Sequence, residues 1–180
     1  VATKKTHEEK SKYLKDLFSK TYISDVIERH NIKGNKEILN NNSIAIVGCR
    51  QASDYGKKVA KYFAYNLAKE GINIVSGLAI GIDSCSHIGA VCANGKTVAV
   101  LGNGLDRVYP IENEYLHNKI IETGGAIISE YPLGTKPEKM NFPARNRIIS
   151  GLSKSVIVIE AKEKSGTLIT VDFALEQGRD

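Results

Sequence analysis

From Ser43 onward the chain alternates two kinds of hydrophobic pattern. Short, nearly unbroken apolar runs stand at residues 44–47, 72–75, 97–101, 126–128 and 156–159. Runs of this kind mark strands covered on both faces, since a strand with one wet face would alternate apolar and polar positions. Between and after them lie amphipathic stretches at 55–69, 84–93, 112–122, 143–152 and 168–177, with apolar positions spaced three and four apart as in helices. Strands and helices in strict alternation predict an α/β domain with a doubly wound, mainly parallel sheet and helices on both faces.

Residues 1–42 read differently. They are rich in Lys, Glu and Asn, with Tyr13, Leu14, Leu17 and Phe18 at helical spacing and a second short amphipathic run around Ile23, Val26 and Ile27. The expectation is an N-terminal region of one or two helices followed by a polar linker, KGNKEILNNN, and then an α/β domain over 43–180.

Composition is that of an ordinary globular chain with a sizeable core, and no apolar run is long enough to span a bilayer. The charged start lacks the apolar centre of a secretory signal, so a cytoplasmic location without membrane association is expected. The three cysteines, Cys49, Cys85 and Cys92, include no Cys-x-x-Cys pair, so neither a disulfide framework nor a metal site is predicted. Cys85 and Cys92 share a helical face and are expected to be buried thiols. The net charge of +5 permits a polyanionic partner without requiring one.

In a doubly wound sheet, ligands bind beyond the carboxyl ends of the strands. Here those junctions are Gly48-Cys49-Arg50, Ser76-Gly77, Gly102-Asn103-Gly104, Glu130-Tyr131-Pro132 and, after Glu160, Ser165-Gly166-Thr167. One glycine turn serves a tight connection as readily as a ligand, but several on one edge point to a shared concave site. The segment NIVSGLAIGID, residues 73–83, leads a strand through Gly77 and Gly81 into a helix start, an arrangement suited to phosphate. Its Gly-x-x-x-Gly spacing is not the dinucleotide fingerprint. Arg50 could reach the same crevice with a planar fork, although an ordinary surface arginine would read identically. Asp83 and His87, four apart, admit an acid–base reading, but a helix cap at Asp83 and local packing of His87 are favoured. His117 reads as exposed.

Charge is concentrated between Gly134 and Lys154, where Lys136, Lys139, Arg145, Arg147 and Lys154 face one acid, Glu138. Within this run, KMNFPARNR places Pro143 in the first turn of a helix. Phe142, Arg145 and Asn146 are then expected on an exposed face, with Ile148, Ile149 and Leu152 turned to the sheet. An aromatic ring beside arginine, lysine and an amide can stack a base and hold its flanking phosphates; a core phenylalanine with solvated arginines is the plain alternative.

Taken in order, Ile46–Arg50, Val75–Asp83 with His87, Val100–Asp106 with Tyr109-Pro110, Ser129–Pro132, Asn141–Gly151 and Ser165–Thr170 with Ala174–Arg179 closely resemble the DNA-processing protein A family, also called Smf. The resemblance runs through residues 43–179. It implies a Rossmann-like domain that binds and protects single-stranded DNA, forms a homodimer, and loads the RecA recombinase on the strand in natural transformation, without catalysis and without a cofactor. Carried over by position, the DNA-binding residues would be Gly48, Arg50, Ser76, Gly77, Lys139, Phe142, Arg145 and Asn146. Arg50 and Lys139 would neutralise phosphates, Phe142 would stack on a base, and Asn146 would order the loop or read a base edge. Three departures stand out: Cys49 replaces the usual serine, residues 1–42 lack the proline-rich lead-in, and the family continues beyond position 180 into another strand, so a longer native chain is expected.

The rival reading is a lonely-guy-type nucleoside monophosphate phosphoribohydrolase, whose glycine-rich loop carries a catalytic glutamate. Thr170 occupies that position here. A nicotinamide enzyme is disfavoured by the missing Gly-x-Gly-x-x-Gly and by Ser76 where a ribose-binding acid would stand. A nucleotide-sensing domain fits the glycine turns as well.

Overall fold

The structure, a computed structural model, describes residues 31–163 and 165–180. Six strands form one sheet: β1 (Asn31–Gly34), β2 (Ser43–Gly48), β3 (Asn73–Ser76), β4 (Thr97–Leu101), β5 (Ala126–Ser129) and β6 (Ser155–Ile159). Their order is β1-β5-β4-β3-β2-β6, with β1 antiparallel to β5 and every other pairing parallel. Five helices connect them, α1 (Asp54–Lys69), α2 (Ile82–Cys92), α3 (Glu114–Glu122), α4 (Asn141–Gly151) and α5 (Gly166–Glu176). The doubly wound Rossmann-like architecture expected from the alternation is therefore present.

Because successive strand residues point to opposite faces, the apolar runs supply two cores at once. Ala45, Val47, Val75, Val100 and Ile128 join Ile148 and Ile149 of α4 and Leu152 just after it on one face. Ile46 and Ile74 meet α1 and α2 on the other, while Leu101 and Ile127 meet Leu116 and Ile120 of α3. Each fully buried isoleucine removes enough apolar surface to be worth about 2 kcal/mol. Helix α1 comes close to α2 because it presents Ala60, Ala64 and Ala68, and because a Cβ at Gly89 would lie 2.5 Å from the Lys61 carbonyl oxygen.

The stretch KGNKEILNNN, residues 33–42, expected as a polar linker, instead joins Asn31 and Ile32 in extending the sheet and its core. Strand β1 pairs with β5, and a 3-10 turn at Lys36–Asn40 buries Ile38 and Leu39 against the α4 face. The buried Asn73 side chain donates to the Ile38 carbonyl at 2.7 Å, fixing that turn to β3. Two apolar residues among asparagines give no periodicity to read, and their burial depends on a neighbour 35 positions away. The helices expected in residues 1–30 lie outside the described residues.

Two further expectations are corrected. Cys92 is exposed, since only Cys85 turns toward the α1–α2 contact. His117 is 1% exposed rather than solvated, packed beneath α3 with Nδ1 3.1 Å from Asn118 Oδ1, and burial lowers its pKa. His87 does pack locally. Thr97 Oγ1 donates to the Ile74 carbonyl, so His87 Nδ1 must carry its proton and donate to Thr97 at 2.7 Å. Burial, aided by the positive charge of Arg145, pushes the His87 pKa down to about 3.

A neutral buried histidine makes stability depend on pH. Between pH 6.5 and about 3 the unfolded chain binds a proton at His87 that the folded chain refuses, so stability is whole above 6.5 and falls as pH falls through that window. The slope from this one group approaches about 1.4 kcal/mol per pH unit. His117 acts in the same sense, and the raised carboxyl of Asp83 acts oppositely above pH 3.8. Urea unfolding between pH 6.5 and 4 should therefore show a slope smaller by about that amount in His87→Asn than in the wild type. Parallel curves would mean that His87 titrates normally.

Candidate functional site

Strands β2, β3 and β4 end at one edge, where the loops that leave β2 and β3 meet in close backbone contact. A Cβ at Gly48 would lie 2.0 Å from the Ile159 carbonyl oxygen, and one at Gly81 would lie 2.4 Å from those of Cys49 and Arg50. Gly81 also has φ +89, a conformation that only glycine adopts without strain. Ile82 N donates to the Cys49 carbonyl, which ties the β3–α2 loop to the β2–α1 loop. Between the two glycines, Leu78 is held at φ +57 with its side chain fully buried against the α3 side of the sheet. The loop is strained there, and core packing holds it.

Asp83 does not cap α2. It stands in the first turn, 8% exposed, with its carboxylate turned back toward the loop of residues 76–79. Burial raises its pKa, opposed by the charge of Arg145 and by the backbone N–H groups of that loop. Ser76 is itself fully buried and donates to the Ile46 carbonyl at 2.7 Å.

Arg145 departs most from expectation. It was placed on an exposed face of α4, yet it is 4% exposed. Its Nη1 donates to the Gly77 carbonyl at 2.8 Å and to the Val100 carbonyl, so it clasps the ends of β3 and β4 from above. The guanidinium fills the space over Gly77, where a Cβ would lie 2.6 Å from its nitrogens. Burial lowers its pKa to about 10, partly restored by Asp83, so it remains cationic at neutral pH. Gly77 is thus open to a protein guanidinium, and its N–H is directed to Asp83.

Phe142 enters through the gap left by Gly102, where a Cβ would stand 2.9 Å from its ring. Asn141 Nδ2 donates to the Gly102 carbonyl at 3.0 Å and anchors the start of α4 to β4. The Phe142 ring stacks on Tyr109 at 5.6 Å between centroids and 30° between planes. The guanidinium of Arg50 lies 5.4 Å from its centroid and that of Arg145 6.0 Å. Arg50 and Lys139 are exposed, whereas Arg147 pairs with Glu130. The basic run therefore divides: one arginine is buried, one is neutralised, and Lys139 joins Arg50 at the rim.

These elements surround a cavity of about 660 Å³. One wall carries Gly48, Cys49 and Arg50, a second Lys139, Phe142, Arg145 and Asn146, and a third Ser165, Gly166, Thr167 and Thr170 at the start of α5. Asn146 Nδ2 donates to the Gly166 carbonyl at 3.2 Å and so orders that third wall. Cys49 is a buried thiol whose pKa is raised by burial and by the nearby Glu160 carboxylate. Among the described residues no group of three His, Cys, Asp or Glu side chains converges as metal ligands would. Of the eight residues expected at the site, Gly48, Arg50, Lys139, Phe142, Arg145 and Asn146 line this cavity. Gly77 borders a small recess beside Arg50 and Tyr109, and Ser76 lies beneath. Tyr109 and the α5 wall were not among them. The only hint of Tyr109 was its Tyr-Pro step after a glycine-rich turn, which has no spacing relation to Phe142.

A mainly parallel sheet that gathers glycine turns, two rim cations and stacked rings around one cavity defines a Rossmann-like binding domain. The chain belongs to the family of DNA recombination-mediator protein A, whose model matches residues 19–180. It is 47% identical to "Protein Smf" of Escherichia coli over 83% of this chain and 40% of that protein. Its fold matches the X-ray structure of DNA processing protein A from Streptococcus pneumoniae with TM-score 0.78 and 46% identity, over 84% of this chain and 53% of that one. It also matches, at TM-score 0.78 and 32% identity, DNA processing protein A from Helicobacter pylori, over 83% of this chain and 68% of that one. That structure is described as revealing a single-stranded DNA binding mode. The chain thus spans about half or less of the length of the curated relatives at the head of the comparison. The resemblance drawn from the motifs is borne out.

The two arginines should behave oppositely in folding. Arg145→Met leaves two strand-end carbonyls and Asp83 without their cation and should cost about 3–5 kcal/mol in urea unfolding. Arg50→Ala should change stability by no more than about 0.5 kcal/mol.

Proposed function

We propose that this domain binds single-stranded DNA along the carboxyl edge of its sheet. The observation that carries the reading is the pair of exposed cations, Arg50 and Lys139, that line one cavity of nucleotide size together with the Phe142–Tyr109 stack. Exposed cations neutralise backbone phosphates, and the rings offer π-faces to an unpaired base. A base within a duplex is stacked on both sides and cannot reach them. Sequence preference should be weak, since charge and stacking carry little base information. The binding mode described for the Helicobacter pylori relative supports the same reading.

On this reading the domain protects incoming single strands and loads the RecA recombinase on them in natural transformation, as a cytoplasmic homodimer. The family's description as a recombination mediator supports this role. Among the described residues no helix is long and apolar enough to cross a membrane. The role is non-catalytic. Asp83, the one carboxylate on the cavity wall, is engaged with loop N–H groups, and Thr170 stands where the phosphoribohydrolases carry glutamate.

Fluorescence titration of a labelled oligothymidylate tests the reading. Arg50→Ala with Lys139→Ala should weaken binding and reduce the slope of log K against log salt by about 1.4, from about 0.7 per phosphate contact on single strands. Phe142→Ala should cost about 1–3 kcal/mol with the slope unchanged. Equal binding by the double variant, or equal competition by duplex, would overturn the assignment.

A further inference from the structure

The wall formed by the start of α5 has no part in the clasp around Arg145, and its polar groups are unspent. Thr167 is 7% exposed and Thr170 1%, both line the cavity, and neither hydroxyl makes a hydrogen bond with a described residue. Ser165, the residue before the helix, makes no side-chain cap, and its buried Oγ has no partner. The N–H groups of Gly166 and Thr167 are likewise unpaired among the described residues, and nothing stands within 4 Å of where a Gly166 Cβ would be. The buried Ser165 Oγ without a partner is costly, and the Thr167 hydroxyl, on the cavity wall with no protein partner, is available to a group in the cavity.

Two other helix starts at this edge carry a carboxylate. Both Glu160 carboxylate oxygens accept from the Ser53 N–H at 3.0 Å, and Oε2 from its hydroxyl at 2.8 Å, which closes the start of α1 to an anion. Asp83 does the same for the loop before α2.

We infer that the start of α5 is a phosphate subsite, in which the Gly166 and Thr167 N–H groups and the Thr167 hydroxyl hold one phosphate ester of the ligand, opposite the Arg50 and Lys139 rim. This inference rests on the nucleic-acid reading for the identity of the ligand, but its chemistry is that of any phosphate ester. Unpaired N–H groups at a helix start and the positive end of its dipole favour an oxyanion, and the hydroxyl adds a donor that requires no charge. Asn146 holds Gly166 in place, so the subsite is ordered from α4.

The experiment compares wild type, Thr167→Val and Thr167→Ser for binding an oligothymidylate without terminal phosphate, the same oligonucleotide with a 5′-phosphate, and thymidine monophosphate. Thr167→Val should weaken binding of the affected probe about tenfold with no change in salt slope, and Thr167→Ser should restore it to within about twofold. Weakening seen with the unphosphorylated strand identifies an internal phosphodiester; weakening confined to the other two probes identifies a terminal phosphate. If wild type binds DNA and all three proteins bind alike, the subsite is overturned while DNA binding stands. If wild type binds only the mononucleotide and Thr167→Val weakens it, the subsite stands and the DNA reading fails. Equal loss in the valine and serine variants assigns Thr167 to packing and overturns the subsite, as does failure of wild type to bind any probe.

Discussion

Everything at the carboxyl edge of this sheet hangs on the guanidinium of Arg145, which descends from α4 and donates to carbonyls at the ends of β3 and β4. Parallel strands end with carbonyl groups that the ladder no longer satisfies, and burial under a helix denies them water. A planar cation with several donors can satisfy two such ends at once, and its charge is balanced through space by Asp83. Asp83 in turn lies against the loop of residues 76–79, whose left-handed Leu78 is held by its burial in the core. Glycine at 77 is needed because a side chain would displace the guanidinium.

The same device sorts the positive charges by task. Arg145 is consumed by structure and Arg147 is paired with Glu130, while Arg50 and Lys139 remain exposed at the rim. Exposed cations in water contribute little to folding, so they are available to a polyanion without a stability penalty when they engage it. Phe142 couples the two groups: it packs into the Gly102 gap, lies near both arginines, and carries Tyr109 on its ring. The cavity accordingly has a floor of buried polar contacts and an exposed cationic rim.

Much of the fold was legible because parallel strands buried on both faces must be apolar throughout, and the helices between them must show a 3.6-residue stripe. Strand β1 was illegible for the opposite reason. Asn-Ile-Lys-Gly is an edge strand with one neighbour, burying little, and Ile38 and Leu39 are too few to define a period. At the site, the glycine turns and the segment from Lys139 to Asn146 were readable because the motif order brings them to one edge. The depth of Arg145, the burial of His117 and the Phe142–Tyr109 stack were not, since an arginine with carbonyl partners 45 and 68 positions away looks like any surface arginine along the chain.

The sequence alone determined the α/β class, the sheet edge at which the glycine turns gather, and the family to which the chain belongs. Those follow from local periodicity and from the order of short motifs, which need no knowledge of distant contacts. Tertiary structure alone decided which arginine faces solvent and which is a structural clasp, which helix starts are closed by carboxylates and which is left open, and which ring lies beside Phe142. The physical reason is that burial, hydrogen-bond satisfaction and charge pairing are properties of space around a side chain, set here by residues far apart in sequence.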